Sequence, residues 1–252
     1  AAPKLCPVTL ELGGKNPNII MSDADLDIAI PGVIDGMRYT RQGQACTAGS
    51  RIYIHEKIYD KVLEGAVEKL SKLKMGNALD EKSDIGAIIS EEQLKRTLYY
   101  MDIAKKNTST KILHGGNQSQ GGDYKDGFYY EPTLLSGLPL SSPVCQEEVF
   151  GPVACAIPFK SFDEVMNSAN DTQFGLSAVL WTKDLSRALQ FVDEIEAGFV
   201  QVNQCVAPRA NVSYGGIKMS GLGKEYAFDS MMNHFTQSKT VLINRGKSNI
   251  DN

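Results

Sequence analysis

Two residues of this chain have the chemistry needed to attack a carbonyl carbon and then release the product. Cys46 lies between small residues in RQGQACTAGSR, residues 41–51, and Glu11 begins ELGGK, residues 11–15. A cysteine attacks carbonyls as its thiolate, and neighbouring glycines let a substrate approach closely. A carboxylate can activate water or a thiol without a histidine. The two segments therefore predict a cysteine nucleophile and a carboxylate base.

Three further segments follow in the order and at about the spacing found in the C-terminal half of the aldehyde dehydrogenase superfamily. They are QEEVFGPV at 146–153, NDTQFGL at 170–176 and GGIKMSG at 215–221. Together with the Cys46 and Glu11 segments, they make the chain resemble this superfamily from Pro7 to about Ile243. Ser213 and Ile217 depart from the proline and tyrosine usual around the Gly-Gly-x-Lys motif.

The resemblance implies a mechanism and a set of site residues. The Cys46 thiolate would add to an aldehyde, hydride would pass to NAD or NADP, and Glu11 would activate the water that hydrolyses the thioester. Glu148 would accept hydrogen bonds from the nicotinamide ribose, Phe150 would pack beside that ring, and Leu12 would be a further cofactor contact. A carboxylate suits the diol because it accepts hydrogen bonds only.

The small-molecule substrate would enter through a tunnel. In the family, this tunnel is lined by the loop that corresponds to residues Gln204 to Tyr214. If Arg209 faced into it, a carboxylate-bearing aldehyde would be favoured over betaine aldehyde; alternatively, Arg209 points to solvent. Glu11 favours hydrolysis over transfer of the acyl group to coenzyme A, because acylating relatives generally carry another residue there.

The resemblance also implies how the chain is organised. Residues 1–13 would be a remnant of the coenzyme-binding domain, 14–219 the catalytic domain, and 220–252 a C-terminal helix, an oligomerisation strand and a disordered tail. The N-terminal Rossmann-type half would be absent, so we expect a fragment that is inactive alone. The strand, Thr240 to Ile243, would join the sheet of a neighbouring subunit in a homo-oligomer.

Hydrophobic periodicity predicts an α/β fold with a mostly parallel sheet. Strands are predicted at 18–21, 51–55, 111–114, 155–159, 177–181 and 198–202, and helices around 28–37, 59–73, 94–103 and 165–169. The acidic segment 22–27 is expected to start the first of these helices. Residues 107–125 are expected to be a surface loop interrupted by the one strand at 111–114. Helices between strands favour parallel pairing in a sheet covered on both faces.

Composition narrows the class of protein. A chain of 252 residues with 42% hydrophobic content can bury a substantial core. Its net charge of −4 argues against nucleic acid as a partner, and no apolar stretch is long enough to suggest a membrane partner. Five cysteines without a CxxC pair argue against a disulfide scaffold and favour a reducing, cytoplasmic location. Cys155, in an apolar run, is expected to be buried, and three scattered histidines predict no metal site.

Other interpretations of Cys46 compete with the dehydrogenase. Gln44-Ala45-Cys46 resembles the start of the caspase signature, but Thr47 and Ala48 break it and no histidine precedes Cys46. A glyceraldehyde-phosphate-dehydrogenase-like Cys-His site lacks a histidine in any motif. The remaining alternative from another class is a non-catalytic structural or regulatory protein that retains the aldehyde dehydrogenase catalytic fold.

Overall fold

The computed structural model describes residues 1–244 and 246. The α-helices in this part of the chain are α1 Leu26–Gly36, α2 Tyr59–Ser71, α3 Glu91–Lys106, α4 Pro143–Gln146, α5 Phe162–Asn170, α6 Leu185–Glu194 and α7 Phe228–Phe235. The strands are β1 Leu10–Glu11, β2 Pro17–Ile20, β3 Arg51–His55, β4 Lys111–His114, β5 Gln118–Ser119, β6 Tyr129–Tyr130, β7 Thr133–Ser136, β8 Val153–Phe159, β9 Phe174–Gly175, β10 Ser177–Trp181, β11 Phe199–Val202, β12 Ile217–Lys218 and β13 Gly221–Leu222.

A seven-stranded sheet forms the centre of the molecule. Its spatial order is β11-β10-β2-β3-β8-β7-β4. Neighbouring strands pair in parallel, except that β4 at one edge is antiparallel to β7. Three two-stranded antiparallel pairs, β1 with β13, β5 with β6 and β9 with β12, lie outside it. The predicted α/β fold with a mostly parallel sheet is confirmed.

Helices cover both faces of the sheet. Because successive residues of a strand point to opposite faces, Ile19 and Ile20 belong to different cores. Ile19 lies in the core that contains Phe191 of α6 and residues of α3 and α5, whereas Ile20 lies with Val33 of α1 and residues of α2. Burying each such side chain contributes about 1.5–3 kcal/mol. The two apolar layers hold the strands, and therefore the loops between them, in fixed positions.

Side-chain caps set where several helices begin. Asp25 before α1, Ser90 before α3, Ser161 before α5 and Asp184 before α6 each accept a hydrogen bond from a first-turn N–H group. Such a cap stabilises a helix by about 1 kcal/mol. The acidic start expected for the first helix is therefore correct.

The structure also differs from the expected elements. Residues 107–125 contain a second short strand, β5, because Gln118 and Ser119 pair with Tyr130 and Tyr129. Periodicity missed α6 and β7. Thr240 to Ile243 is not a strand within this chain, and Leu242 is 92% exposed.

A strand requires a hydrogen-bonding neighbour, and residues 240–243 pair with no strand in the described part of the chain. Most of the tail expected to be disordered lies outside the described residues.

Among the residues described, no helix combines the length and apolar character needed to cross a membrane.

Candidate active site

The predicted nucleophile, base and ribose acceptor meet at one edge of the central sheet. Glu11 lies before β2, Cys46 before β3 and Glu148 before β8. These strands are parallel neighbours, so their amino ends lie at the same edge of the sheet. Many open α/β sheets bind ligands at the opposite, carboxyl edge. The sheet topology thus explains why three residues far apart in sequence converge.

An open cleft of about 600 Å³ lies at this edge. Its volume is within the range typical of small-molecule sites. The charged and aromatic residues in its lining are Glu11, Arg38, Arg41, Glu148, Phe150, Tyr214, Glu225 and Tyr226; Gly13, Gln44, Ala45, Cys46, Thr47, Ala207 and Pro208 complete it. Four of the predicted site residues, Cys46, Glu11, Glu148 and Phe150, therefore share one cleft.

The loop that carries Cys46 is fixed by a buried asparagine. Asn16 donates from Nδ2 to the carbonyl oxygens of Cys46, at 2.7 Å, and Ala48, at 3.0 Å. Its Oδ1 accepts a hydrogen bond from the N–H of Ser177 at the start of β10. One amide side chain thus connects the nucleophile loop to the sheet.

Glycine at position 43 allows the same loop to approach its neighbour. Gly43 has φ +64°, and a Cβ added there would lie 2.1 Å from the carbonyl oxygen of Gly151. A side chain would therefore push the Cys46 loop away from the segment that carries Phe150.

The Cys46 sulfur is half-buried and lies 3.3 Å from the Tyr214 hydroxyl. Burial raises the pKa of the Cys46 thiol, and the nearby negative charge of Glu11 raises it further. The hydrogen bond from Tyr214 and the N–H groups of Thr47 and Cys46 lower this pKa, but by less than burial and Glu11 together raise it. Cys46 is therefore a thiol at neutral pH, and hydrogen-bond donors already lie beside its sulfur to stabilise the thiolate when it forms.

Glu11 is held by a strand pair that involves the far end of the chain. Glu11 lies opposite Gly221 in the antiparallel β1–β13 pair, and Leu12 donates its N–H to the carbonyl oxygen of Ser220 at 2.9 Å. The Ser220 hydroxyl accepts in turn from the N–H of Gly175. The Glu11 side chain itself is exposed to the cleft and its solvent.

The Glu148 carboxylate packs against the glycines that follow Glu11. Its Oε1 accepts a 3.0 Å hydrogen bond from the N–H of Gly14. A Cβ added at Gly13, where φ is +82°, would lie 2.5 Å from the same oxygen. Burial raises the pKa of Glu148, which opposes the effect of the Gly14 hydrogen bond. Gly13 therefore makes room for the carboxylate, and Gly14 donates a hydrogen bond to it.

Helix α3 supports the same segment from behind. Gln93 donates to the carbonyl oxygens of Val149 and Phe150, at 3.0 and 2.8 Å, and Arg96 donates to that of Glu148 at 2.5 Å. Phe150 adopts φ +53°, an uncommon conformation that these contacts hold in place.

Lys218 contacts supporting loops rather than the cleft. Its ammonium group donates to the carbonyl oxygens of Asn170 and Thr172 at the end of α5 and forms an ion pair with Glu196. The Gly-Gly-x-Lys segment is thereby tied to the end of α5 and to the loop between α6 and β11.

Some predicted positions lie elsewhere. Leu12 is 51% exposed and is not in the cleft lining, and Arg209 is exposed outside the lining. In this chain, the position of Arg209 agrees with the alternative in which it points to solvent. Cys155 is buried as expected. Within residues 1–244 and 246, no group of three or more His, Cys, Asp or Glu side chains could hold a metal ion.

Sequence reasoning missed three supporting side chains, namely Asn16, Gln93 and Arg96. Gln93 and Arg96 are three residues apart on α3 and therefore share a helix face. That spacing was a visible signal, but their partners are backbone carbonyls, which no sequence pattern reveals. The Tyr214 hydroxyl was also missed, because Tyr214 was noted only as the end of the tunnel loop.

Comparison with known proteins agrees with the motifs. The aldehyde dehydrogenase family model matches residues 1–241. An aldehyde dehydrogenase of Rhodospirillum rubrum is 40% identical over 249 residues, which are 96% of this chain and 48% of the relative. A betaine aldehyde dehydrogenase of Brucella melitensis is 37% identical over 247 residues, covering 98% of this chain and 50% of the relative.

Solved structures give the same result. The NAD⁺ complex of an aldehyde dehydrogenase from Bacillus cereus superposes with a TM-score of 0.90 at 34% identity, over 97% of this chain and 48% of that one. An aldehyde dehydrogenase, described as putative, from Burkholderia cenocepacia has a TM-score of 0.87 at 40% identity, over 91% and 47%. The chain spans about half the length of the relatives it matches. It belongs to the aldehyde dehydrogenase family.

Proposed function

We propose that this chain is the catalytic half of an NAD(P)-dependent aldehyde dehydrogenase that converts an aldehyde to a carboxylic acid. The observation that carries the proposal is the shared cleft: Cys46, Glu11, Glu148 and Phe150 come from separate segments and line one cavity at the amino edge of the sheet. A structural carboxylate or a buried, inert cysteine would not require this convergence.

Cys46 supplies the nucleophile. Its thiol loses a proton to water in the open cleft. The sulfur then forms a bond to the aldehyde carbon while the carbonyl π bond breaks, so that the carbonyl oxygen becomes an oxyanion. The Cys46 N–H donates a hydrogen bond to that oxyanion, which stabilises charge as it develops. Loss of hydride from this carbon leaves a thioester on Cys46. Asn16 acts indirectly, because it fixes the loop from which the sulfur attacks.

Glu11 supplies the base for release of the product. It takes a proton from water, the resulting oxygen nucleophile attacks the thioester carbon, and the carbon–sulfur bond breaks to give a carboxylic acid and the Cys46 sulfur. An exposed carboxylate that opens into the cleft has access to water for this step. A well-positioned general base contributes a factor of about 10²–10⁴.

The cleft fits the ribose and ring of a nicotinamide nucleotide, which when bound supplies the hydride acceptor. Glu148 Oε1 accepts from Gly14, whereas Oε2 has no protein donor in the described part of the chain and is available to a diol hydroxyl. Phe150 lies in the same lining and offers an aromatic edge or face. These two residues would hold the nucleotide; Leu12, which lies outside the lining, is the weakest of the three predicted contacts.

The division of the chain follows from the same proposal. Residues 1–13 would belong to the coenzyme-binding domain, 14–219 would form the catalytic domain, and 220–252 would hold the oligomerisation segment. The β1–β13 pair joins the first of these segments to the last. Val241, Leu242 and Ile243 are 64–92% exposed, which supports their role as a strand that pairs with another subunit of a cytoplasmic homo-oligomer.

The test is cofactor reduction by the complete protein that contains this chain. We expect a neutral aliphatic aldehyde to give steady NADH or NADPH production, and the chain alone to fold but give none above background. A complete, folded protein that reduces neither cofactor with any aldehyde tested would favour the non-catalytic alternative. Steady production by the chain alone would contradict the proposed need for the coenzyme-binding half.

A further inference from the structure

The Tyr214 hydroxyl lies against the sulfur of the proposed nucleophile. The oxygen is 3.3 Å from Cys46 Sγ, and the tyrosine as a whole is only 5% exposed. Among the residues that the structure describes, this sulfur is the hydrogen-bond partner of the hydroxyl. A buried hydroxyl normally has a partner, and here the partner is the atom that reacts.

The tyrosine ring is held from two sides. It forms T-shaped contacts with Phe199, at 5.6 Å and 76°, and with Tyr226, at 5.7 Å and 88° between the ring planes. Its backbone is paired with Glu225 through two hydrogen bonds of 3.0 and 2.7 Å. Neither aromatic contact involves the hydroxyl. The ring position is therefore fixed independently of Cys46, and the hydroxyl is held at the sulfur in advance.

Which group donates the hydrogen bond between Tyr214 and Cys46 depends on which of the two is protonated. Burial raises the pKa of Tyr214 well above its ordinary value, so the phenol remains protonated at neutral and moderately alkaline pH. A Cys46 thiolate has no proton to donate. When Cys46 ionises, Tyr214 is consequently the donor, and a hydrogen bond to a charged acceptor is stronger than one between neutral groups.

We propose that Tyr214 stabilises the Cys46 thiolate through its hydroxyl and aims the sulfur into the cleft. This inference rests on the proposed function only in taking Cys46 as the nucleophile. It assigns a role to the hydroxyl rather than to the aromatic ring. The prediction is therefore specific: removing one oxygen atom should change the ionisation of Cys46 while leaving the ring contacts intact.

Other groups also influence this sulfur. The titratable and charged groups that line the cleft around it are Glu11, Arg38, Arg41, Glu148, Tyr214, Glu225 and Tyr226. Of the charged groups, Glu11 opposes thiolate formation. All except Tyr214 remain unchanged in a Tyr214→Phe variant. The difference between that variant and its parent therefore reports the hydroxyl alone.

The experiment measures the pH dependence of Cys46 alkylation in the 252-residue chain. Cys6 is exposed and Cys205 is partly exposed, so both are first replaced with serine. Labelling of Cys46 by iodoacetamide, in which the thiolate displaces iodide, is followed by peptide mass spectrometry between about pH 7 and pH 11.5, because the pKa of Cys46 lies above its ordinary value. The parent is compared with Tyr214→Phe and with the matched control Tyr226→Phe, and circular dichroism checks that each is folded.

We expect the midpoint of the profile to rise by about one pH unit in Tyr214→Phe and to stay unchanged in Tyr226→Phe. Below the midpoints, labelling should be about threefold slower, because a more basic thiolate is scarcer but more nucleophilic. The two profiles should then cross at high pH. An unchanged midpoint in Tyr214→Phe, or equal shifts in both variants, would overturn the proposal, because packing alone would then explain the result.

A second variant tests the same hydrogen bond if Tyr214→Phe does not fold. Incorporating 3-fluorotyrosine at position 214 keeps the ring and the hydroxyl but makes the phenol a stronger donor, so the midpoint should fall; no change would contradict the proposal. None of these measurements requires a nicotinamide cofactor or an aldehyde. Their failure is therefore distinguishable from failure of the proposed dehydrogenase activity.

Discussion

Cysteine thiols occur both at the amino edge of the central sheet and in its buried core, but their exposure differs between the two regions. Cys46 lies half-buried at the edge, with a hydroxyl at 3.3 Å and a cleft in front of it. Cys145 of α4 and Cys155 of β8 are 0% and 1% exposed in the core. A thiol reacts only if it can ionise and be reached. The difference shows that the surroundings of a cysteine, and not the side chain itself, decide whether it can act as a nucleophile or only packs in the core.

The backbone differs between the two regions as well. At the edge, Gln42, Gly43, Phe150 and Gly13 all have positive φ. The strands behind them run in regular parallel register. Unfavourable conformations persist only where surrounding structure holds them, and here the two apolar layers and α3 do so. The comparison predicts that changes at the edge alter chemistry, whereas changes in the interior alter stability.

The largest effect on activity should come from replacing the cysteine at the edge of the sheet, Cys46, with alanine. Cys46→Ala in the complete enzyme should reduce aldehyde oxidation by a factor of about 10⁴ or more, because no other group can form the thioester. Its melting temperature should change little, since the side chain is only half-buried. Cofactor reduction and thermal unfolding are measured on the same preparations.

Cys155→Ala is the matched control. It should lower the melting temperature, because it leaves a cavity in a packed core, but the folded fraction should retain activity. Retained oxidation in Cys46→Ala would end the assignment of Cys46 as the nucleophile.

The next largest effect concerns the base. Glu11→Gln in the complete enzyme should slow turnover about 10²–10⁴-fold, because water attacks the thioester without a base. Acylated Cys46 should accumulate and be detected by mass spectrometry. Glu225→Gln removes another carboxylate from the same cleft and should leave turnover within a few fold. Normal steady turnover in Glu11→Gln would exclude the proposed role.

The interior gives a purely structural effect. Phe191→Ala removes a fully buried ring from the core between α6 and the sheet and should destabilise the chain by about 3–5 kcal/mol. Leu185→Ala, at an exposed position of the same helix, should cost less than about 0.5 kcal/mol. Denaturant unfolding measures both. Similar losses would mean that α6 packs differently from the arrangement described here.

Much of the sheet was predictable because its strands are short apolar runs between helical periodicities. Strand β10 lies at Ser177–Trp181, the residues predicted for it. Helix α6 was missed even though its first-turn cap, Asp184, is a recognisable signal. The strand expected at Thr240 to Ile243 could not be verified in one chain, because its hydrogen-bond partner would belong to another subunit.

Part of the site was predictable from local sequence motifs, whereas the sheet was predictable from hydrophobic periodicity. Cys46 and Glu11 were found through local motifs, whereas their convergence depends on the parallel neighbours β2 and β3, which is a property of the topology. The contacts of Asn16 and Tyr214 join residues far apart in sequence. Periodicity and motifs describe segments, so they cannot identify such contacts.

The smallest expected effect separates glycines needed for space from those needed only for backbone conformation. Gly43 and Gly121 both have positive φ, but an added Cβ meets the Gly151 carbonyl oxygen at 2.1 Å in the first case and nothing within 4 Å in the second. Gly121→Ala should therefore cost about 1–3 kcal/mol from backbone strain alone, because φ +77° with ψ 174° is a conformation that essentially only glycine adopts. Gly43→Ala adds a clash at the Cys46 loop and should cost about 2–4 kcal/mol.

The two substitutions should also differ in their effect on chemistry. Gly43→Ala must displace either the Cys46 loop or the segment of Phe150, so alkylation of Cys46 at a fixed pH should change by several-fold under conditions where the protein remains folded. Gly121→Ala, in an exposed loop, should leave that rate unchanged. If both variants lose the same stability and label Cys46 at the same rate, the close approach of the edge loops does not position the sulfur, and the contrast between edge and interior is then one of burial alone.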